Sequence, residues 1–375
     1  MKHKLKKCFC ISTMVWLSLI FMIPAVTADT PGFTIRAVIP ENQIGDDQGY
    51  YNLMMKNGNS QEIATVLTNT TNKPITIEVS FARATTNGNG LAIYDASSEK
   101  KDTSLIYDID DYVKLPEKEV TLEPYSQSTI KAVVSMPKED LKGVLAGGFT
   151  FKEKIADDTT STKTGVSLKN EFRYIVALVM QQNTSPISPE VKLHSVYADQ
   201  VNARNIVAAQ LQNIAPTYIK DMAITANIQG ITDKKISYAY TSDDMKMAPN
   251  SNFTFNIPLS TDKEIAKQQI KPLKPGKYQL IMTVYGQKNE TGPHQKPGLS
   301  GNQPTNYTDK WQFKQEFVIS KAIATKLNKT SIAIQPKKTT NWLLILLLSI
   351  LICLFLLVMY LLYINLRNKK RERET

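Results

Sequence analysis

Ile75-Thr76-Ile77-Glu78-Val79-Ser80-Phe81 sets apolar and polar side chains in strict alternation, the period of a strand with one face buried and the other wet. The same period recurs at Ile130, Ala132, Val134 and Met136, and again at Tyr278, Leu280, Met282 and Val284. Between Phe33 and Ile319 further strand-like runs fall at 63–68, 120–122, 148–152, 172–180, 191–197, 206–212, 219–229, 236–240, 253–257 and 311–319, parted by Asn, Gly, Pro and Asp turns. No amphipathic helix of useful length stands among them. Many short strands of this kind predict an all-β fold, two tandem immunoglobulin-like antiparallel sandwiches.

Both ends of the chain differ in kind from this middle. Trp342 to Ile364 carries no charge over 23 residues, and a helix of that length rises about 35 Å, enough for a hydrocarbon core of about 30 Å. Arg367, Lys369, Lys370, Arg371 and Arg373 follow at once. By the positive-inside rule they hold residues 365–375 in the cytoplasm, which makes 342–364 a single transmembrane helix with everything upstream outside, a single-pass type I arrangement. At the other end Lys2, Lys4, Lys6 and Lys7 precede an apolar run, Pro24 and Val26-Thr27-Ala28, so residues 1–28 read as a cleaved signal peptide.

Net charge is +11, of which four units sit in residues 1–28 and three in the tail from Leu366. The four left on the exterior give no concentrated basic face, which argues against nucleic-acid binding. All three cysteines, Cys8, Cys10 and Cys353, lie in the terminal segments. An exterior without disulfides must rely on ordinary hydrophobic cores, as on a Gram-positive bacterial surface.

The run Ala156-Asp157-Asp158-Thr159-Thr160-Ser161-Thr162-Lys163-Thr164-Gly165 has no large apolar residue and reads as a linker over 156–165. It puts the first domain at 31–155 and the second at 166–320, with a stalk over 321–341. Two long irregular stretches stand out, Thr85 to Glu119 and Gly286 to Asp309. The second is rich in Gly and Pro between two firm strands, and it reads as a recognition loop or a disordered one.

Chemistry-bearing motifs are sparse. The exterior histidines are His194, in a strand, and His294, in the long loop. Phosphate-cradling glycines, zinc spacings and a nucleophile elbow are all missing, so no catalytic residue, cofactor or metal is expected. Asp108-Ile109-Asp110-Asp111 suggests calcium, but Tyr112 and Val113 stand where an EF-hand loop needs an oxygen ligand and a glycine. Sequons at Asn69, Asn183, Asn252, Asn289, Asn306 and Asn328 fit an alternative, a eukaryotic type I adhesion receptor. A cell-wall carbohydrate-active hydrolase is a second alternative, since paired carboxylates leave no sequence signature.

Several blocks occur in an order that resembles the WxL-interacting proteins of Gram-positive bacteria. They are Pro40-Glu41-Asn42-Gln43 with Tyr50-Tyr51-Asn52-Leu53; Ala84-Thr85-Thr86-Asn87-Gly88-Asn89-Gly90 with Tyr94; Gly143-Val144-Leu145-Ala146-Gly147-Gly148-Phe149; Met247-Ala248-Pro249-Asn250-Ser251-Asn252-Phe253; Leu273-Lys274-Pro275-Gly276-Lys277-Tyr278; and Trp311-Gln312-Phe313. The resemblance implies a peptidoglycan-binding first domain, a host-binding second domain that meets host extracellular matrix or glycoprotein, and a WxL-domain surface protein as partner. It makes the protein a non-catalytic, membrane-anchored adhesin or scaffold at the cell surface. Asn42, Gln43, Asn87, Gly88, Tyr94, Gly147 and Gly148 are the candidate peptidoglycan or partner contacts. The loop Gly286 to Asp309 and Trp311 are the candidate host or partner contacts.

Overall fold

The computed structural model of the chain describes residues 31–96, 100–154, 171–260, 270–298, 303–331 and 342–371. The expected signal peptide, the polar run 156–165 and residues 332–341 lie outside them. Two compact units are formed, one from Met1–Tyr197, Ala208–Ile257 and Tyr278–Phe317, the other from Ala198–Val207, Pro258–Lys277 and Val318–Thr375.

Strands β1 (Phe33–Val38), β2 (Tyr51–Met54), β3 (Ser60–Asn69), β4 (Ile75–Arg83), β5 (Thr85–Thr86), β6 (Ala92–Ile93), β7 (Val113–Lys114), β8 (Glu119–Leu122), β9 (Gln127–Ser135), β10 (Leu145–Glu153) and β11 (Arg173–Gln181) build the first sandwich. One sheet runs β1-β3-β9-β7, the other β2-β11-β10-β4-β8, and β5 pairs with β6 alone. The alternation of Ile75 to Phe81 is realised in β4, where Ile75, Ile77 and Val79 are buried. They pack with Phe33, Leu67, Leu122, Phe151 and Leu178 into one core.

Strands β12 (Val191–Val201), β13 (Arg204–Asn213), β14 (Ile219–Gly230), β15 (Ser237–Met247), β16 (Ser251–Pro258), β17 (Gly276–Lys288), β18 (His294–Lys296) and β19 (Thr305–Ile319) follow. They form the sheets β12-β13-β16 and β15-β14-β17-β19-β18. The order β1-β3-β9 over β8-β4-β10-β11 is thus repeated as β12-β13-β16 over β15-β14-β17-β19.

A shared device marks the repeat. Asn69 ends β3 at 1% exposure; its amide donates to Lys73 O, Leu122 O and Glu123 O, and its Oδ1 accepts from Thr71 N. Asn213 ends β13 with no exposure; it donates to Thr217 O and Ala248 O and accepts from Ala215 N. Each asparagine faces a turn of the form x-Pro-x-Ser, Glu123 to Ser126 and Ala248 to Ser251. There the residue after proline, Tyr125 or Asn250, has positive φ, and the serine hydroxyl donates back three residues.

The repeat moves one strand relative to the sequence expectation. Arg173–Gln181, expected to open the second domain, pairs antiparallel with β10 and parallel with β2, and its Val176, Leu178 and Met180 belong to the first core. The polar run 156–165 therefore sits in sequence between the last two strands of the first sandwich. Gly286 to Asp309 occupies the same place in the second. Residues 182–190, without regular structure, join the two sandwiches.

Regular structure extends into both irregular stretches. Thr85 to Glu119 holds β5, β6, a 3-10 turn at Ile109–Asp111 and β7. In the other, β17 continues to Lys288, and β18 pairs with β19 through His294↔Tyr307 and Lys296↔Thr305. Lys296 is buried and meets Asp243 at 2.7 Å. Burial pushes the Tyr307 phenol up to about 12, with Asp243 and Asp244 adding to the effect.

The second unit contains helix α1 (Lys321–Thr330), in a stretch expected to be stalk. Ser320 caps it by accepting from Ile323 N, and Leu327 and Ala324 are buried. Asn328 exchanges hydrogen bonds with both backbone groups of Leu273 at 2.9 and 2.8 Å. Helix α2 (Trp342–Arg371) contains the uncharged segment. Its described side chains run continuously from 346 to 361, and among described residues no helix is long and apolar enough to cross a membrane.

Candidate functional site

Strand β10 is buried on both faces from Leu145 to Phe151, so something must cover its outer side. The cover begins with Tyr94. A Cβ on Gly148 would lie 2.8 Å from Tyr94 Cβ and Cγ, and one on Gly147 would lie 2.5 Å from Phe81 Cζ and 2.8 Å from Ala82 O. Both glycines admit the chain's own rings, and no open space is left beside them. The Tyr94 hydroxyl meets that of Tyr218 at 3.2 Å, and Tyr218 packs with Ala84, Ala146 and Ala248. Three alanines let the first sandwich's 84–94 segment lie close against the β13–β14 turn of the second.

Polar contacts complete this seam. The Thr86 hydroxyl accepts from Ala248 N at 2.9 Å and meets the Ser251 hydroxyl at 2.7 Å, fully buried. Val144 N donates to Pro216 O, and Lys246 N to Gly90 O. Gly143 has φ +76°, and a Cβ there would stand 2.2 Å from Pro216 O, so a side chain would meet both backbone strain and a clash. Burial and the neighbouring Tyr94 hydroxyl push the Tyr218 phenol well up. The Lys246 ammonium lies 4.7 Å over its ring.

Asp102 is the hub beside the seam. Its Oδ1 accepts from Gln212 Nε2 at 2.6 Å, Ser104 N at 2.9 Å and Ser104 Oγ at 2.6 Å; its Oδ2 accepts from Asn252 Nδ2 at 2.6 Å. Burial works to raise this carboxyl, but the donations from Asn252, Ser104 and Gln212 outweigh it and hold the pKa below the ordinary value.

Around Asp102 opens a cleft of about 660 Å³, walled on one side by Thr86 to Gly88 and Lys100 to Thr103 and on the other by the outer face of β12-β13-β16. That face presents His194, Gln210, Gln212, Asn252, Thr254 and Asn256. Gln212 Oε1 lies 2.5 Å from His194 Nε2. The lining is amide and hydroxyl, a hydrogen-bonding surface without a nucleophile–base pair.

The candidates from sequence are dispersed. Asn87 and Gly88 line the cleft, with Asn87 Oδ1 accepting from Asn89 N and Leu91 N. Tyr94 and Gly148 pack on each other in the seam, and Gly147 faces Phe81. Asn42 pairs reciprocally with Gln61 and donates to Met54 O. Gln43 donates to Tyr50 O and accepts from Asn52 N, so both brace the turn before β2. Trp311 lies against Gly286, 3.1 Å from where a Cβ would be.

Asp108 caps the 3-10 turn through Asp110 N and meets Lys101 Nζ at 2.6 Å and Arg83 at 3.7 Å. The chain's own cations supply the charge that calcium would have brought. No group of three or more ligating side chains suited to a metal occurs among the described residues. Sequence reasoning missed Asp102, Gln210, Gln212, Thr254 and Asn256. The outward Asn-x-Thr-x-Asn period of Asn252 to Asn256 was the available signal, visible only as a sequon.

Residues 33–153 match the WxL Interacting Protein peptidoglycan binding domain, and residues 163–329 match the host binding domain of the same family. The chain belongs to the WxL-interacting protein family. In this WxL-interacting protein the host-domain match includes β11, which the fold places in the first sandwich, and ends within α1. The cleft draws residues from both matched segments. No curated protein matches the chain. Among solved structures it is similar to the Salmonella enterica SafA pilin in complex with the SafB chaperone, at 9% identity over 78% of this chain and 99% of that one, with a TM-score of 0.28. The Pseudomonas aeruginosa CupB2 chaperone gives 10% identity over 68% and 91%, with 0.26. A PapD-like domain of human CEP192 gives 11% over 44% and 93%, also with 0.26. Scores this low bear on neither fold nor function.

Proposed function

We propose that this WxL-interacting protein is a non-catalytic scaffold of the Gram-positive cell surface, bound to peptidoglycan through its first immunoglobulin-like sandwich. Its second sandwich takes host matrix or glycoprotein ligands, and a WxL-domain surface protein is its partner. Residues 342–364 anchor it as a single-pass type I membrane protein after removal of 1–28, with 365–375 in the cytoplasm. The observation that carries this reading is the paired match of 33–153 and 163–329 to the two domains of one family. The anchor rests on 23 uncharged residues followed by five basic ones.

Asn87 and Gly88 are contacts within the cleft in this reading, and Asn42 and Gln43 belong to a second exposed turn. Tyr94, Gly147 and Gly148 serve indirectly, by holding the seam that forms the cleft's floor. The Gly286 to Asp309 hairpin and Trp311 are assigned to host or partner contact. Asn69, at 1% exposure, has its amide fully engaged, a poor glycan acceptor, which weighs against the eukaryotic receptor.

Sedimentation of the detergent-solubilised full chain with purified Gram-positive cell wall tests the reading. Retention on the wall is expected, and protease added to whole cells should digest the exterior while sparing the final decapeptide. A chain that stays in the supernatant at micromolar wall-disaccharide concentrations is not a wall binder.

A further inference from the structure

We infer that the cleft around Asp102 binds an extended peptide, and that the part of peptidoglycan it takes is the peptide stem and not the glycan strand. This deepens the wall-binding reading and rests on it for the identity of the ligand.

The outer face of β16 carries Asn252, Thr254 and Asn256 in one line. Alternate residues of a strand stand about 6.7 Å apart, which is also the interval at which an extended peptide repeats its N–H and C=O groups on one side. Side chains on this spacing therefore meet successive peptide units in step. Amides match both polarities, since each carries a carbonyl acceptor and two N–H donors. Among the described residues Thr254 and Asn256 make no side-chain hydrogen bond within the chain, and Gln210 uses its oxygen, accepting from Ser195 Oγ at 3.2 Å, which leaves its N–H groups free.

Asp102 sets the direction of the array. By drawing the amide N–H groups of Asn252 and Gln212 at 2.6 Å each, it fixes their rotamers. The Gln212 oxygen is spent on His194, while the Asn252 oxygen stays available to accept from a peptide N–H. Asp102 is thus a positioning residue, its Oδ1 occupied by three donations and its Oδ2 held by Asn252.

One observation disfavours the sugar and a second favours the stem. A pyranose offers an apolar C–H face that is normally met by an exposed Trp, Tyr or Phe ring, and Phe253, the one such residue in the lining, is 4% exposed and turned into the sandwich, while the His194 ring is engaged by Gln212. Lys100 stands at the rim, exposed. Lys101 beside it is engaged by Asp108, which leaves Lys100 to meet a stem carboxylate.

The test uses the full chain in detergent with three probes: intact purified wall, the same wall stripped of its stems by an N-acetylmuramoyl amidase, and free stem peptides. Binding is expected to fall at least about tenfold on the stripped glycan, and free stems should compete at equal chain concentration. Thr254→Val and Asn256→Ala, each removing one outward hydrogen-bonding group, should weaken stem binding about fivefold with an unchanged melting temperature. Lys100→Gln should reduce the salt dependence of stem binding.

Equal binding to intact and stripped wall overturns the inference and leaves the wall-binding reading standing. Absence of binding to intact wall defeats the wall-binding reading, and titration with free stems then decides the cleft by itself: saturable binding lost in Asn256→Ala supports it, and no binding overturns it. Equal affinity for an unrelated all-L peptide of the same length also overturns it, since the stem would then have no claim on the site.

Discussion

Replacing Asn213 with alanine tests whether one buried amide closes the second sandwich. The side chain has no exposure and makes three hydrogen bonds to backbone: to Thr217 O at 2.7 Å, to Ala248 O at 3.0 Å, and from Ala215 N at 3.2 Å. Ala248 O retains the Ser251 hydroxyl, so its loss is one bond, about 1 kcal/mol. Thr217 O is partly reached by water and costs about the same. Ala215 N is buried and would be stranded, at about 2 kcal/mol. The sum, about 4 kcal/mol, is a large share of a typical domain's stability. Urea slopes near 2 kcal/mol/M for a domain of this size turn it into a midpoint drop of about 2 M. Trp311 on β19 is the only tryptophan between residues 29 and 341, so its fluorescence isolates the second sandwich even where the two do not unfold together. Asn213→Asp keeps the acceptor but loses both donations and buries a charge, so its midpoint should fall as far. A drop under about 0.5 M in Asn213→Ala would refute the accounting. It would also remove the claim that Asn69, its counterpart, does the same work in the first sandwich.

Gly148→Val should dislodge Tyr94, whose Cβ lies 2.8 Å from the added atom, and lower the melting temperature by at least about 4 °C, one kcal/mol's worth for a small domain; calorimetry reads it. Gly143→Ala meets both φ +76° and Pro216 O at 2.2 Å, and amide exchange at Val144, whose N–H bonds Pro216 O, should accelerate at least tenfold. Asp102 has its folded pKa held below the ordinary 3.8, so its contribution is complete above that value and is lost as pH falls through the folded pKa. The stability difference between the native chain and Asp102→Asn should therefore be constant above about pH 5 and shrink below pH 4 in acid titrations followed by Trp311 fluorescence. A gap that widens on acidification contradicts the hub assignment.

Fold class was legible because alternation is a local signal, and β4, β9 and β17 bear it in the clearest form. What failed to show was partnership between distant segments. Arg173–Gln181 reads as a strand, but its place beside β10 and β2 depends on a core that only the folded chain defines. The polar run before it therefore reads as a domain linker, although in sequence it falls between two paired strands of the first sandwich. Helix α1 escaped for a different reason. Its buried apolar residues are Ala324 and Leu327, and the rest of its attachment is polar, Asn328 to Leu273 and Asn205, and Gln200 to Leu327 and Thr330, which leaves no hydrophobic period. The candidate site followed the same pattern: Asn87 and Gly88, taken from a local block, line the cleft, whereas Asp102 meets Gln212 and Asn252, 110 and 150 residues away in sequence. Gly147 and Gly148, expected as peptidoglycan or partner contacts, have Phe81 and Tyr94 of the same chain against them.

One departure from the repeated sandwich plan helps to build the cleft. In the first sandwich the segment after β4 is long and folds across β10, covering it with Tyr94. In the second, the segment after β14 turns at once into β15 and extends no such arm. The arm of the first sandwich also carries Asp102, which reaches the outer face of β12-β13-β16 through Gln212 and Asn252. Alanines at 84, 146 and 248 and the glycines at 90 and 143 bring the backbones close enough for Thr86, Val144 and Lys246 to bridge the seam. Those backbone hydrogen bonds join the two sandwiches in addition to residues 182–190. Small residues let the two backbones approach closely enough for buried hydrogen bonds to form across the seam, so the sandwiches are tied by polar contacts where side chains are too small to supply apolar burial.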